Sequence, residues 1–145
     1  MKIIQNNKKA YYEFFIEDTF EAGIVLKGSE VKSVKNGHIS IIDSFVSLKD
    51  NEVFLKNAYI KPYEKANNFA PDEKRIRKLL LNKLEIQKIK KKVETKGYTL
   101  VPTKVYLKNN LVKIEIAIAK GKKLYDKRES IKERELNRKI KQEVL

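Results

Sequence analysis

The 145-residue chain has no cysteine, no tryptophan and a single histidine, His38. That removes disulfides, zinc ribbons, histidine-based triads and most transition-metal sites. Its five glycines form neither a GxGxxG nor a GxxxxGK loop, and no nucleophile elbow is present. The serines Ser29, Ser33, Ser40, Ser44, Ser47 and Ser130 have no histidine partner apart from His38. No catalytic residue, metal or cofactor is therefore expected, and the chain reads as a non-enzyme. Apolar runs reach only four or five residues, against the roughly 20 needed to span a bilayer, so no membrane partner is expected. The opening MKIIQNNKKAYYEFF has no apolar h-region and no small-residue cleavage site. A cytoplasmic protein is the expectation.

What the chain has in excess is positive charge: 33 Lys and Arg against 19 Asp and Glu, a net +14 with a pI near 9.8. Such an excess repels itself unless a polyanion neutralises it, which makes nucleic acid the leading partner class. From Lys120 to Leu145 ten basic residues face five acidic ones, leaving +9 for the body. This tail cannot repay about 1 to 2 kcal/mol per residue of backbone ordering by burying apolar surface. Leu136, Ile140 and Val144 share one helical stripe while Leu124 and Ile131 fall opposite, so no continuous apolar face runs through it. The tail is expected to be disordered when free and to take its order from a partner.

Upstream, Met1 to Lys9 reads as a loosely held lead-in. From Tyr11 a β pattern sets in, with Tyr12, Phe14 and Ile16 alternating, then a second run from Ala22 to Leu26 in which Gly23 marks a bulge or close backbone approach. SEVKSVKN, between Gly28 and Gly37, carries helix signals: Ser29 as N-cap, Glu30 in the first turn and Gly37 as a left-handed stop. Ile39–Leu48 and Glu52–Ile60 read as strands joined by a tight Asp50-Asn51 turn. Tyr63 to Lys74 reads as an exposed loop, and Arg75–Leu81 as a strand. Asn82 with Glu85 three residues on forms a capping box for a helix running to Lys96, with Ile86, Ile89 and Val93 on one stripe and Lys88, Lys91 and Lys92 gathered on the other side. Last comes a hairpin, Tyr98–Lys108 and Leu111–Ala119 about Asn109-Asn110; Pro102 places its first strand at an edge or bulge. Six or seven short strands with two or three helices predict a mainly β, OB-like barrel, closed or partly open. Residues 1–120 would form it and 121–145 the tail.

Several long motifs, in order and nearly end to end, make the chain similar to the SsrA-binding protein family, also called small protein B: NKKA (7–10), FEAGIVLKGSEVKS (20–33), RKLLL (77–81), KGYTLVP (96–102), AKGKKLYDKRE (119–129) and IKERE (131–135). The resemblance implies an RNA-binding protein of ribosome rescue, or trans-translation. Its barrel would bind the tRNA-like part of transfer-messenger RNA, and its tail would become helical in the vacant mRNA channel beside the small-subunit decoding centre. It further implies RNA contacts by Asn7, Lys8, Lys9, Glu21, Leu80 and Lys113, with Glu30 as an alternative acidic candidate. Lys120, Lys122, Lys123, Tyr125, Asp126, Lys127 and Arg128 match the ribosome-binding tail motif. A monomer is expected. Two departures stand out: the family's Arg-His after NKKA is Tyr11-Tyr12 here, and its Asn-His before RKLLL is replaced around Phe69-Ala70-Pro71. Taken without the resemblance, the same residues also suit a general OB-type single-strand binder or a ribosomal structural protein.

Overall fold

A computed structural model describes residues 1–62 and 71–123. The chain runs through β1 (Lys2–Asn6), α1 (Lys8–Glu13), β2 (Phe14–Ile24), α2 (Gly28–Lys35), β3 (Ile39–Ser40), β4 (Phe45–Lys49), β5 (Glu52–Lys56), β6 (Tyr59–Ile60), β7 (Arg77–Leu80), α3 (Lys83–Val93), β8 (Tyr98–Lys108) and β9 (Leu111–Gly121). Seven strands form one antiparallel sheet in the order β1-β8-β9-β2-β7-β5-β4, and β3 pairs with β6 apart from it. The sheet curls until β4 lies against β8 without joining its hydrogen-bond ladder. The result is a partly open, OB-like barrel.

Two hairpins follow from their turn residues. Asp50-Asn51 and Asn109-Asn110 all take positive φ, between 51° and 64°, as a two-residue turn matching the right-handed twist of its strands requires. Around the second turn the register pairs Leu107 with Val112, Tyr106 with Lys113 and Val105 with Ile114.

One-residue bulges sort the side chains between the faces. In β2 the register slips between Ile16 and Thr19, so Phe14 and Ile16 pack on one face and Phe20 and Ala22 on the other. In β8 a slip between Pro102 and Lys104 does the same. A single extra residue reverses which positions face the core. On the inner face Ala22, Ile114, Ile116, Ile118, Leu100 and Val105 meet Val34 of α2 and Ile89 of α3. Ile89 alone, fully buried, contributes about 1.5 to 3 kcal/mol. On the outer face α1 lays Ala10 over Val101, Ala117 and Ala119, with Phe14 and Ile16 packed against them.

Several expectations are corrected. Met1–Lys9 is not a loose lead-in: β1 pairs with β8, and Asn7 caps α1. Tyr11 and Tyr12 lie in that helix, and β2 starts only at Phe14. Bulky residues suit either state in so short a window, and the capped helix wins because its alanine covers the alanines of β9. Ile39–Leu48 is broken between Ser40 and Phe45, and Glu52–Ile60 at Asn57, whose φ is 61°. Residue 27, not Ser29, caps α2: the Lys27 N–H reaches Glu30 Oε1 at 3.0 Å. α3 has the expected Asn82–Glu85 capping box but stops at Val93, short of Gly97 at φ 91°. Pro102 sits at a bulge, though not at an edge, since β1 lies outside β8. The Gly23 bulge is displaced to residues 16–19; what Gly23 does provide is a close approach, an added Cβ standing 3.4 Å from Leu80 Cβ.

Candidate nucleic-acid interface

The open part of the outer face is built by register. Leu80 on β7 pairs with Gly23 on β2, Gly23 with Lys113 on β9, and Lys113 with Tyr106 on β8. Cross-strand partners share a face, so these four form a row across the sheet. The next row holds Glu21, Glu115 and Lys104. Because Gly23 has no side chain, the row is notched: Gly23, Leu80, Leu111, Val112, Asn110 and Lys113 help line a concavity of about 240 Å³. Leu80 is 52% exposed there, an outward leucine in a strand whose Leu79 is fully in the core.

The charges around this notch are held in place. Glu21 bonds Lys108 at 3.1 Å. Glu115 accepts from Thr103 Oγ1 at 2.5 Å and lies 3.8 Å from Lys104. Tyr106 is only 5% exposed although it belongs to the outer row. Burial, the charges of Glu21 and Glu115, and a hydrogen bond to Glu21 push its phenol up to about 12. It therefore stays protonated beside Glu21, whose carboxylate is exposed and bonded by Lys108. A carboxylate in this setting takes base amino, imino or ribose hydroxyl donors, the lysines take phosphates, and the leucine–glycine notch takes an apolar sugar or base face.

The other proposed RNA residues fall elsewhere. Asn7 is 3% exposed and fully occupied inside: its Oδ1 accepts from the Ala10 N–H at 3.3 Å, and its Nδ2 donates to Pro102 O at 2.8 Å and Ile41 O at 3.4 Å. Lys8 is exposed on α1, and Lys9 bonds Asp43 at 3.0 Å, a contact that holds its ammonium above the ordinary value. Glu30 is buried and grips Arg75 Nη2 at 2.6 Å, Arg77 Nη2 at 2.7 Å and Arg77 Nε at 2.8 Å. Burial pushes its carboxyl up, yet the Arg75 bond, the Lys27 amide and Arg77 together hold it below the usual range. Glu30 is thus an internal counter-ion, with both carboxylate oxygens turned away from any ligand.

Of the tail motif, Lys120 lies in β9 with its ammonium 6.0 Å from the Tyr98 ring centre. Lys122 donates its N–H to Glu13 O at 2.9 Å and its Nζ to Tyr11 O at 3.2 Å, 5.1 Å from the Phe15 ring. Lys123 is exposed. Tyr125, Asp126, Lys127 and Arg128, and with them the expected disorder and helix of the tail, lie outside the described residues, as does the 63–70 part of the expected loop. Among the described residues no group of three or more His, Cys, Asp or Glu is placed to hold a metal ion.

Sequence reasoning alone missed Tyr106, Thr103, Lys104, Lys108 and Glu115, which frame Glu21 and Lys113. The signal was present in part: once Asn109-Asn110 is a two-residue turn, Tyr106 must stand opposite Lys113.

The profile of the SmpB protein family matches residues 4–145. The chain is 58% identical to an SsrA-binding protein of Thermoanaerobacter pseudethanolicus over 135 residues, covering 93% of this chain and 86% of that one. It is 53% identical to an SsrA-binding protein of Caldicellulosiruptor bescii over 144 residues, covering 99% and 91%. A chain of a solved structure described as "tmRNA-SmpB: a journey to the center of the bacterial ribosome" superposes with a TM-score of 0.70 at 42% identity, covering 88% of this chain and 93% of its own.

Proposed function

The chain belongs to the SmpB protein family, and from that premise we propose that it is an RNA-binding protein of ribosome rescue, which carries transfer-messenger RNA to stalled ribosomes. The observation that carries the assignment of sites is the row Leu80–Gly23–Lys113 beside the pinned Glu21. It joins, on one open sheet face, an apolar notch, a phosphate-binding cation and a fixed acceptor. That face takes the tRNA-like part of the RNA, with Leu80, Lys113 and Glu21 in contact. Lys8 and Lys9 add charge at α1, while Asn7 and Glu30 act by holding the fold. Residues 1–120 are the RNA-binding unit and 121–145 the ribosome-binding tail. Lys120, at the end of the RNA-binding unit, and Lys122 and Lys123 anchor the departure of the tail, and Tyr125, Asp126, Lys127 and Arg128 engage the decoding centre and mRNA channel. The protein binds and delivers as a cytoplasmic monomer and catalyses no reaction; none of the described helices is long and apolar enough to cross a membrane.

The test compares the full chain with one ending after Lys123. Affinity for the tRNA-like transcript is expected to be unchanged within about twofold, and to exceed that for unstructured RNA of equal length at 0.15 M salt by at least about a hundredfold. Tagging of stalled chains is expected to vanish on truncation. Equal affinity for both RNAs would assign the face to general single-strand binding. Loss of RNA affinity on truncation would refute the division of labour.

A further inference from the structure

The lysine stripe of α3 lies away from the outer row. Ile89 docks the helix onto the inner face among Ile116, Ile118 and Leu100, so the sheet separates these lysines from Lys113. Lys88, Lys91, Lys92 and Thr95 follow one another at helical spacing and, with Asp18 and Ile118, line a concavity of about 250 Å³. Asp18 comes from the β2 bulge, which kinks that strand beside the helix. The lysines are oriented rather than splayed: Lys88 Nζ lies 5.8 Å from the Phe20 ring centre and Lys92 Nζ 4.5 Å from that of Tyr98. Lys92 also reaches Glu17 at 3.7 Å.

We infer that this concavity is a second RNA-contact site, which takes the ribose-phosphate backbone of a helical RNA segment while the outer face holds the tRNA-like RNA. Three ammonium groups stand against two carboxylates, Asp18 and the Glu17 that Lys92 already meets, which leaves a hollow of net positive charge for a phosphate. Asp18 would repel a phosphate or an acidic protein surface placed directly on it, but it accepts from a ribose 2′-OH, the group that separates RNA from DNA. The protein could then bridge two RNA bodies, one on each side of its sheet. The site does not depend on the outer-face assignment, though it shares the premise that the protein works on RNA.

The test uses the full chain and a fluorescent 16-base-pair RNA duplex, followed by anisotropy with and without saturating tRNA-like transcript. Wild type is expected to bind the duplex in both conditions. The double variant K88Q/K91Q should weaken duplex binding about tenfold at 0.1 M salt and flatten the log K against log salt slope by about 2, one for each phosphate left without its lysine. K88R/K91R should restore it, and transcript affinity should stay within about twofold. D18N should narrow the preference for the RNA duplex over a DNA duplex of the same sequence. Displacement of the duplex by the transcript in wild type, an unchanged slope in K88Q/K91Q, or an unchanged RNA preference in D18N would each overturn the proposal. Failure of the outer-face assignment would show separately, as transcript binding that K113Q leaves intact.

Discussion

Replacing Glu30 by glutamine tests whether this residue holds the fold or touches RNA. The side chain keeps its shape and loses its charge, against Arg77, which is 0% exposed, and Arg75, which is 28% exposed. Removing one member of a buried ion pair costs about 3 to 5 kcal/mol, because the partner charge is left buried and uncompensated. Arg77 retains hydrogen bonds to Ala58 O at 2.7 Å and Glu73 O at 3.2 Å, and Arg75 can turn to water. These favour the lower end, about 3 kcal/mol. For a folded unit of this size that corresponds to a fall of about 12 °C in Tm. Stability totals about 5 to 15 kcal/mol, so the variant should remain folded at 25 °C. Urea unfolding followed by circular dichroism measures the loss directly.

Acid supplies a second reading of the same group. The Glu30 carboxyl is held below its ordinary value of 4.5, so its contribution is complete above that pH and disappears as pH falls through the depressed folded value. Wild type should therefore lose stability more steeply than E30Q below pH 4.5. The pair E30L/R77M, with both charges gone, should recover at least about 2 kcal/mol relative to the sum of the single changes. A loss under about 1 kcal/mol in E30Q, together with a selective fall in transcript affinity, would refute the counter-ion role and make Glu30 an RNA contact.

Gly23→Val fills the notch beside Leu80, and should lower transcript affinity about tenfold or more while moving stability by less than about 1 kcal/mol, since β-branched residues suit strands; equal losses in both would mean the strand itself is damaged. Asn7→Ala removes the α1 cap and leaves Pro102 O unpaired, an expected loss of about 2 kcal/mol in urea with transcript affinity unchanged in the folded fraction. Tyr106→Phe removes the phenol beside Glu21 and should weaken transcript binding several-fold. In wild type the phenol is pushed up to about 12 against an ordinary 10.0, so stability present below pH 10 is lost as pH rises from 10 toward 12, and tyrosinate absorbance should show one group ionising about two pH units late, a lag that Y106F removes. Asn110→Gly relieves a residue at φ 64° and should be neutral or stabilising by up to about 1 kcal/mol, even though Lys35 then gives up its 3.1 Å hydrogen bond to Asn110 Oδ1.

Where the chain announced itself, local chemistry was sufficient. Asn82 and Glu85 bond each other's backbone within four residues, and Asn109-Asn110 adopts the one turn that closes a two-residue hairpin, so neither needed distant partners. The errors lie where a distant surface decides. Lys8–Glu13 has a mixed pattern with three bulky residues, and it is helical because Ala10 can meet Ala117 and Ala119 while Asn7 reaches Pro102, 95 residues away. The bulges of β2 and β8 were invisible for a related reason. An inserted residue leaves alternation intact on either side and only reverses its sense, so Ile16 and Phe20 look equivalent until Ala119 and Ile116 stand opposite them.

The same distinction governs the site. Motif resemblance nominated Asn7, Glu21, Glu30, Leu80 and Lys113 alike, because a family's recurrent residues include those that fold the chain as well as those that meet its partner. Burial and pairing divide them. Asn7 and Glu30 use every polar atom on the chain's own backbone and arginines, whereas Leu80 spends an apolar side chain on solvent and Lys113 stands across from a glycine that supplies no cover. The exposed leucine opposite a glycine is what the proposed RNA contact would cover. Glu21 is the instructive intermediate: it is exposed, yet Lys108 bonds it at 3.1 Å and the Tyr106 phenol lies beside it. A carboxylate on a basic face accepts from base and sugar donors and repels phosphate, which is the discrimination that the proposed contact at Glu21 requires beside Lys113.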